Sequence, residues 1–262
     1  MSVAWRVNAE RLTLLGWSRA ILLQLAHPLV AAGVAQHGTF RSTPLAPIVR
    51  LHHTVRAMLS LAFGDDAARE RTLDIIRAIH RRVHGVLPHE VGSFAAGTPY
   101  SAEDPALLLW VHATLVDSML LAYDRVVSPL STAERDAYCT EAAAVAVALG
   151  ARDDEVPRTW AALGGYMDTM IRSRTIAVGA EARQLADGVL TPAIFLVVWP
   201  AARVNRLVTV GLLPPSVRTQ YGFTWSRRDE RRLERVLRVI SAVRRAVPAQ
   251  IALWPDARRS SG

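Results

Sequence analysis

Residues 107–124 read LLLWVHATLVDSMLLAYD. The run is almost wholly apolar, and its large residues recur at three and four, the period of a helix rather than of a half-buried strand. One stripe holds Leu108, His112, Leu115, Val116 and Met119. A helix apolar on nearly every side is a core helix around which others pack. Ser101 and Asp104 precede it, the serine placed to cap and the aspartate to sit in the first turn.

The same period extends outward in both directions. Helices are expected over 5–16, 18–35, 46–63, 66–85, 103–127, 131–149, 153–173, 178–188, 193–212 and 227–247. Valine-rich strands with period-two alternation are missing. Ser131 and Glu134 have the capping-box spacing, in which each side chain satisfies the other's free backbone N–H. Breaks fall at Pro44 and Pro47, between Gly85 and Pro99, at Pro129, and at Pro214-Pro215. The run AILLQLAHPLVAAGVA (20–35) carries Gln24, His27 and Pro28; it is too short and too polar for a membrane span and reads as a buried helix kinked near Pro28. The longest irregular stretch is GVLPHEVGSFAAGTPY (85–100). The expected fold is all-α: a single-domain bundle of about ten helices over residues 1–262. Its basic C-terminal helix, 227–247, docks through Leu233, Val236, Leu237, Ile240 and Val243.

Composition bounds the function classes. The chain has 262 residues, 51% of them hydrophobic, enough for a substantial core. The net charge is +8, and all 31 basic residues are arginine, a usage that fits a GC-rich genome. The basic balance permits contact with nucleic acid or with an anionic membrane. A nucleic-acid partner is not expected. For the arginine-rich C-terminal helix the alternatives are a solvated basic face and peripheral membrane contact. A single cysteine, Cys139, excludes an intrachain disulfide framework and a cysteine-based zinc site, and fits a reducing compartment. Polar residues stand where a signal peptide would have its apolar region, so the expected location is cytoplasmic.

All eight histidines, at 27, 37, 52, 53, 80, 84, 89 and 112, lie in the first 112 residues. In 66–85 the stripe Leu73, Ile76, His80, Val83 and Leu87 turns His80 inward, with His84 one turn on and Arg77 to the side. A buried imidazole needs a hydrogen-bond partner or a metal. In RLHHTVRAML (50–59), Arg50, His53 and Thr54 share one face, a guanidinium, an imidazole and a hydroxyl. That trio either borders a pocket for an anion or an oxygen species or forms a partly solvated edge. His112 and Asp117 sit in the core helix, and a carboxylate there needs an arginine or histidine from another helix.

Familiar catalytic schemes are missing. There is no HExxH, no GxSxG, no phosphate-binding GxxxxGK[ST] and no glycine-rich dinucleotide fingerprint. Inward histidines in a helical protein without a carboxylate-rich metal site leave haem as the natural cofactor.

The stretches GWSRAILLQLAHPLVAAGVAQHGTF, PIVRLHHTVRAMLSLAFGD, IRAIHRRVHG, GTPYSAEDPALLLWVHATLVDSMLLAYDRVVSPLS and GLLPPSVRTQYGFTW together resemble the catalytic domain shared by the MpaB oxygenases and the rubber oxygenases (latex clearing proteins). They span about 16–226. The resemblance implies an all-helical bundle that holds haem b and uses dioxygen on a hydrophobic, isoprenoid or alkene-bearing substrate. Around the axial histidine the family motif resembles Arg-x-x-His-x-x-Val-Arg. Arg77, His80 and Val83 match it, with His84 where arginine is usual. The distal motif resembles Arg-x-x-Lys-Thr, matched by Arg50 and Thr54, with His53 replacing the lysine. The resemblance thus implies His80 as the iron ligand, Arg77 and His84 beside the cofactor, and Arg50, His53 and Thr54 as the catalytic distal groups. His112 and Asp117 are the expected supporting residues behind them. The alternative function is a non-catalytic haem or hydrophobic-ligand binding protein.

Overall fold

The computed structural model describes residues 2–38, 46–190 and 199–259, with backbone alone for 46–51, 199–200 and 259. In chain order the elements are α1 (Val3–Ala9), a 3₁₀ helix (Arg11–Gly16), α2 (Trp17–Leu25), α3 (Pro28–His37), α4 (Ala46–Phe63), α5 (Asp66–His80), β1 (His84–Val86), β2 (Pro99–Ser101), α6 (Pro105–Val126), α7 (Thr132–Leu149), α8 (Trp160–Arg172), α9 (Ala180–Leu190), α10 (Trp199–Leu212), α11 (Pro215–Gln220), α12 (Arg227–Ala246), α13 (Ala249–Ala252) and α14 (Pro255–Arg259). The fold is all-α, and β1 and β2 form a small antiparallel pair at its edge.

The apolar helix α6 is the axis. It is long and apolar enough to cross a membrane, and most of it is buried inside the bundle. Pro105 at its first position fixes the start, and the cap is Asp104, whose side chain accepts the Ala106 N–H. The expected cap, Ser101, lies in β2 instead. Trp110, Ala113, Met119 and Leu120 of α6 are shut from solvent in the main core with Leu22, Leu23, Leu163 and Leu190.

Against α6 runs α2, at very short range. A Cβ on Gly16 would lie 2.4 Å from the Ser118 carbonyl oxygen, so the approach admits only glycine. Three residues on, the buried Arg19 reaches across the same contact. Its Nη1 donates to Asp117 Oδ2 and to Ser118 Oγ, both at 2.6 Å, and its Nε donates to the Leu212 carbonyl at the end of α10 at 2.7 Å. The cation that Asp117 requires is therefore supplied by α2.

The 18–35 run bends by 104° between its two halves. Pro28 opens α3, and His27 caps it with Nδ1 accepting the Leu29 N–H at 3.3 Å. Two carbonyls at the end of α2 draw donors from far along the chain: Ala177 N–H donates to the Ala26 oxygen at 2.9 Å, and Tyr221 Oη–H adds a second bond to the Leu22 oxygen at 2.7 Å. The capping box on α7 forms as spaced, from Ser131 and Glu134.

Several boundaries differ from expectation. The first helix stops at Ala9 and continues as a 3₁₀ turn. The 66–85 helix ends at His80, because residues 84–86 pair with 99–101. Tyr100 sets that pairing: its hydroxyl donates to Gln36 Oε1 at 2.7 Å, and a Cβ on Gly85 would meet that hydroxyl at 2.8 Å. The 85–100 stretch is thus a stitched hairpin, closed further by Leu87 and Thr98. The 153–173 helix begins only at Trp160, where Thr159 caps it. α12 docks through Leu233 and Leu237 on Val126 and Val208, with Val236 and Ile240 partly buried beside them; Val243, expected in the same face, is exposed instead, and ion pairs Arg125–Glu234 and Arg244–Glu10 hold the middle and the last turn.

Two stability predictions arise here. Asp117→Asn should cost about 3 kcal/mol, because it leaves a buried guanidinium unpaired. Replacing both partners, Arg19→Met with Asp117→Leu, should cost less than the two single changes added; additive losses in urea denaturation would show that the pair is uncoupled. The second concerns His27, which burial pushes down to about 4 against a smaller upward pull from Asp104. The unfolded imidazole titrates near ~6.5, so this stabilising effect is complete above that pH and is lost as pH falls toward 4, by up to about 3 kcal/mol. His27→Asn keeps an acceptor at the cap and should flatten the fall between pH 7 and 4.5; an unchanged slope would assign the acid loss to other groups.

Candidate functional site

α4 and α5 form an antiparallel hairpin around Gly64-Asp65. Asp65 caps α5 through the Ala68 N–H at 2.7 Å, and Ser60 Oγ meets Thr72 Oγ1 across the pair at 2.8 Å. Arg50 lies thirteen residues before the end of α4, and His80 lies fourteen after the start of α5. At ~1.5 Å per residue both sit about 20 Å from the turn. The hairpin therefore brings the Arg50–Thr54 stretch and His80 to one end.

His80 is the last residue of α5 and is half-buried. Its Nδ1 is sealed from solvent and has no hydrogen-bond partner among the described residues. Burial lowers its pKa, outweighing the opposing field of Glu103. The ring is therefore neutral at pH 7 and holds a nitrogen that satisfies nothing else. A neutral imidazole with an unspent nitrogen is the form that ligates a metal.

Arg77, one turn earlier, is already committed. Its Nε and Nη2 donate to the Ala148 carbonyl at 3.1 and 2.9 Å, and its Nη1 to Glu70 and Asp74 at 2.8 and 2.9 Å. It ties α5 to the last turn of α7, where the free carbonyls favour a cation. Its place is thus behind the His80 helix, holding it still.

The remaining expected residues divide. His53 and Thr54 are exposed, while Val55 and Met58 of the same helix turn toward the core. His52 and His53 have ring centroids 6.1 Å apart. The side chain of Arg50 lies outside the described residues. His84, expected one helical turn beyond His80, is instead an exposed residue of β1, with its carbonyl 3.0 Å from His37 Nε2. His112 is half-buried on α6, and burial pushes its pKa down to about 4. Asp117 is bound to Arg19. Sequence reasoning missed Arg19; the signal was a lone charge in GWSRAILLQL, which must be neutralised wherever it is buried.

Among the described residues no three His, Cys, Asp or Glu side chains gather as a multi-ligand metal site. A haem needs only one protein ligand, with the porphyrin supplying the other four. The donor chemistry of His80 fits that demand. Arg77 spends four of its five N–H groups on Ala148, Glu70 and Asp74, which fixes the helix that carries His80.

Comparison with known proteins agrees with the architecture. The chain is similar to an uncharacterized protein of Mycobacterium bovis and to one of Mycobacterium tuberculosis, each 25% identical over 246 residues, covering 89% of this chain and 92% of the relative. No solved structure matches. Residues 5–242 match the family described as ER-bound oxygenase mpaB/B'/Rubber oxygenase, catalytic domain. By that match, which takes in every helix from α2 through α11, this chain belongs to the MpaB and rubber oxygenase catalytic-domain family.

Proposed function

We propose that this protein is an oxygenase that holds haem b through His80 and uses dioxygen on a small hydrophobic, alkene-bearing or isoprenoid-like substrate. The observation that carries the reading is the sealed, partnerless Nδ1 of a neutral His80. An unsatisfied buried ring nitrogen costs about 1–3 kcal/mol, and a bound metal would remove that cost. Haem iron would supply the binding and activation of dioxygen.

The protein's own groups do the rest. Arg77 clamps α5 to α7 and keeps His80 in place. Arg50, His53 and Thr54 share the same end of the hairpin and would donate hydrogen bonds on the side facing substrate. The Arg19–Asp117 pair holds α6, the apolar wall of the bundle, against α2. The exposure of His53 and Thr54 favours a second reading, a non-catalytic haem or hydrophobic-ligand carrier.

A spectrum of the purified protein loaded with haem tests the assignment. One equivalent of haem with a Soret band is expected for the wild type. His80→Ala should lose the band while its circular dichroism stays helical, and His53→Ala should keep it. A His80→Ala protein with the wild-type spectrum would overturn the ligand assignment. Oxygen uptake with a terpenoid alkene then separates oxygenase from carrier: consumption above the haem-free background is expected, and none would leave the carrier.

A further inference from the structure

The chain's charge is not spread evenly. α12 carries eight arginines against Asp229, Glu230 and Glu234, a net +5 of the whole chain's +8. Arg227, Arg228, Arg231, Arg232, Arg235 and Arg238 are exposed, and none makes an ion pair among the described residues. Codon bias explains arginine in place of lysine; it does not explain this concentration on one helix.

The same helix exposes aliphatic side chains. Val239 is 62% exposed, Val243 56%, and Ile251 on α13 61%. These are three of the six large hydrophobics left exposed among the described residues, and all three line one groove of about 360 Å³. Leu12, Ile240 and Val247 complete its apolar floor. At its edge stands Arg11, whose guanidinium lies 5.2 Å over the Trp254 ring and whose buried Nε has no partner. Arg228, Arg232 and Arg235 lie on the helical stripe that continues into Val239 and Val243. The face is thus cationic along one half of a helix and aliphatic along the other.

We propose that the α12–α13 face docks on an anionic lipid bilayer, with the arginines on lipid phosphates and Val239, Val243 and Ile251 among the acyl chains. Charge complementarity selects this occupant. A second copy of the chain would bring two +5 helices together, which repel. A nucleic-acid backbone would take the arginines and leave the exposed aliphatics without a use. A bilayer of acidic phospholipid satisfies both halves. The bulk of the helix stays docked through Leu233 and Leu237, so the face binds as a rigid surface and not as a free peptide.

The test is co-sedimentation of the full chain with vesicles of phosphatidylcholine alone and with vesicles in which about one-third is phosphatidylglycerol. Binding to the acidic vesicles and not to the neutral ones is expected. Arg232→Glu with Arg235→Glu, and separately Val239→Asp with Val243→Asp, should each weaken it by ~tenfold or more, since both halves of the face contribute. All four positions are exposed on a helix whose buried side is untouched, and an unchanged melting temperature certifies the fold. No binding to acidic vesicles overturns the proposal. So does binding that both variants retain. Loss with the arginine changes alone, together with salt-sensitive binding of duplex DNA that Val239→Asp/Val243→Asp retains, overturns it in favour of nucleic acid. Concentration-dependent dimerisation abolished by the valine changes overturns it in favour of self-association.

Discussion

A single buried guanidinium holds the centre of this fold. Arg19 gathers a carboxylate and a hydroxyl from α6 and a carbonyl from the end of α10. It sits one turn past Gly16, where the chain entering α2 meets the α6 backbone at Ser118. A charge in that position is costly to desolvate, so every group around it is fixed by the need to satisfy it. Gly16 already restricts how α2 can lie on α6, and the ion pair adds a charge match at the same register.

That constraint explains what the sequence made legible. The helical period of α6 and the spacing of Ser131 and Glu134 are local, and they predict what forms. α4 begins and ends where the pattern places it. Long-range contacts wrote the differences. His84-Gly85-Val86 has no strand signature; it becomes a strand because Tyr100 must reach Gln36 over a residue without a side chain. Asp117 announced that it needs a cation, yet the sequence could not say that the cation stands 98 positions away.

The site shows the same division. Periodicity turned His80 toward the interior, and the structure leaves it half-buried with an empty ring nitrogen. For Arg50, His53 and Thr54 the pattern established a shared face without saying which way that face looks; Val55 and Met58 took the core side, and His53 and Thr54 were left outside. Arg77 carried a motif match and an orientation to the side, both true of a residue whose hydrogen bonds go to α7. A motif specifies residue types; the neighbours decide what each one holds.

The sealing of α2 has a consequence for how the protein is made. Its last carbonyls and its buried arginine take their partners from residues 177, 212 and 221. A ribosome adding 5–20 residues per second needs roughly 10–40 s to travel from α2 to the last of these. For that interval the nascent chain carries an apolar helix without its distant partners, soon joined by a second one long enough to enter a bilayer. The order of synthesis thus leaves apolar surface of the first half of this chain uncovered until the second half arrives.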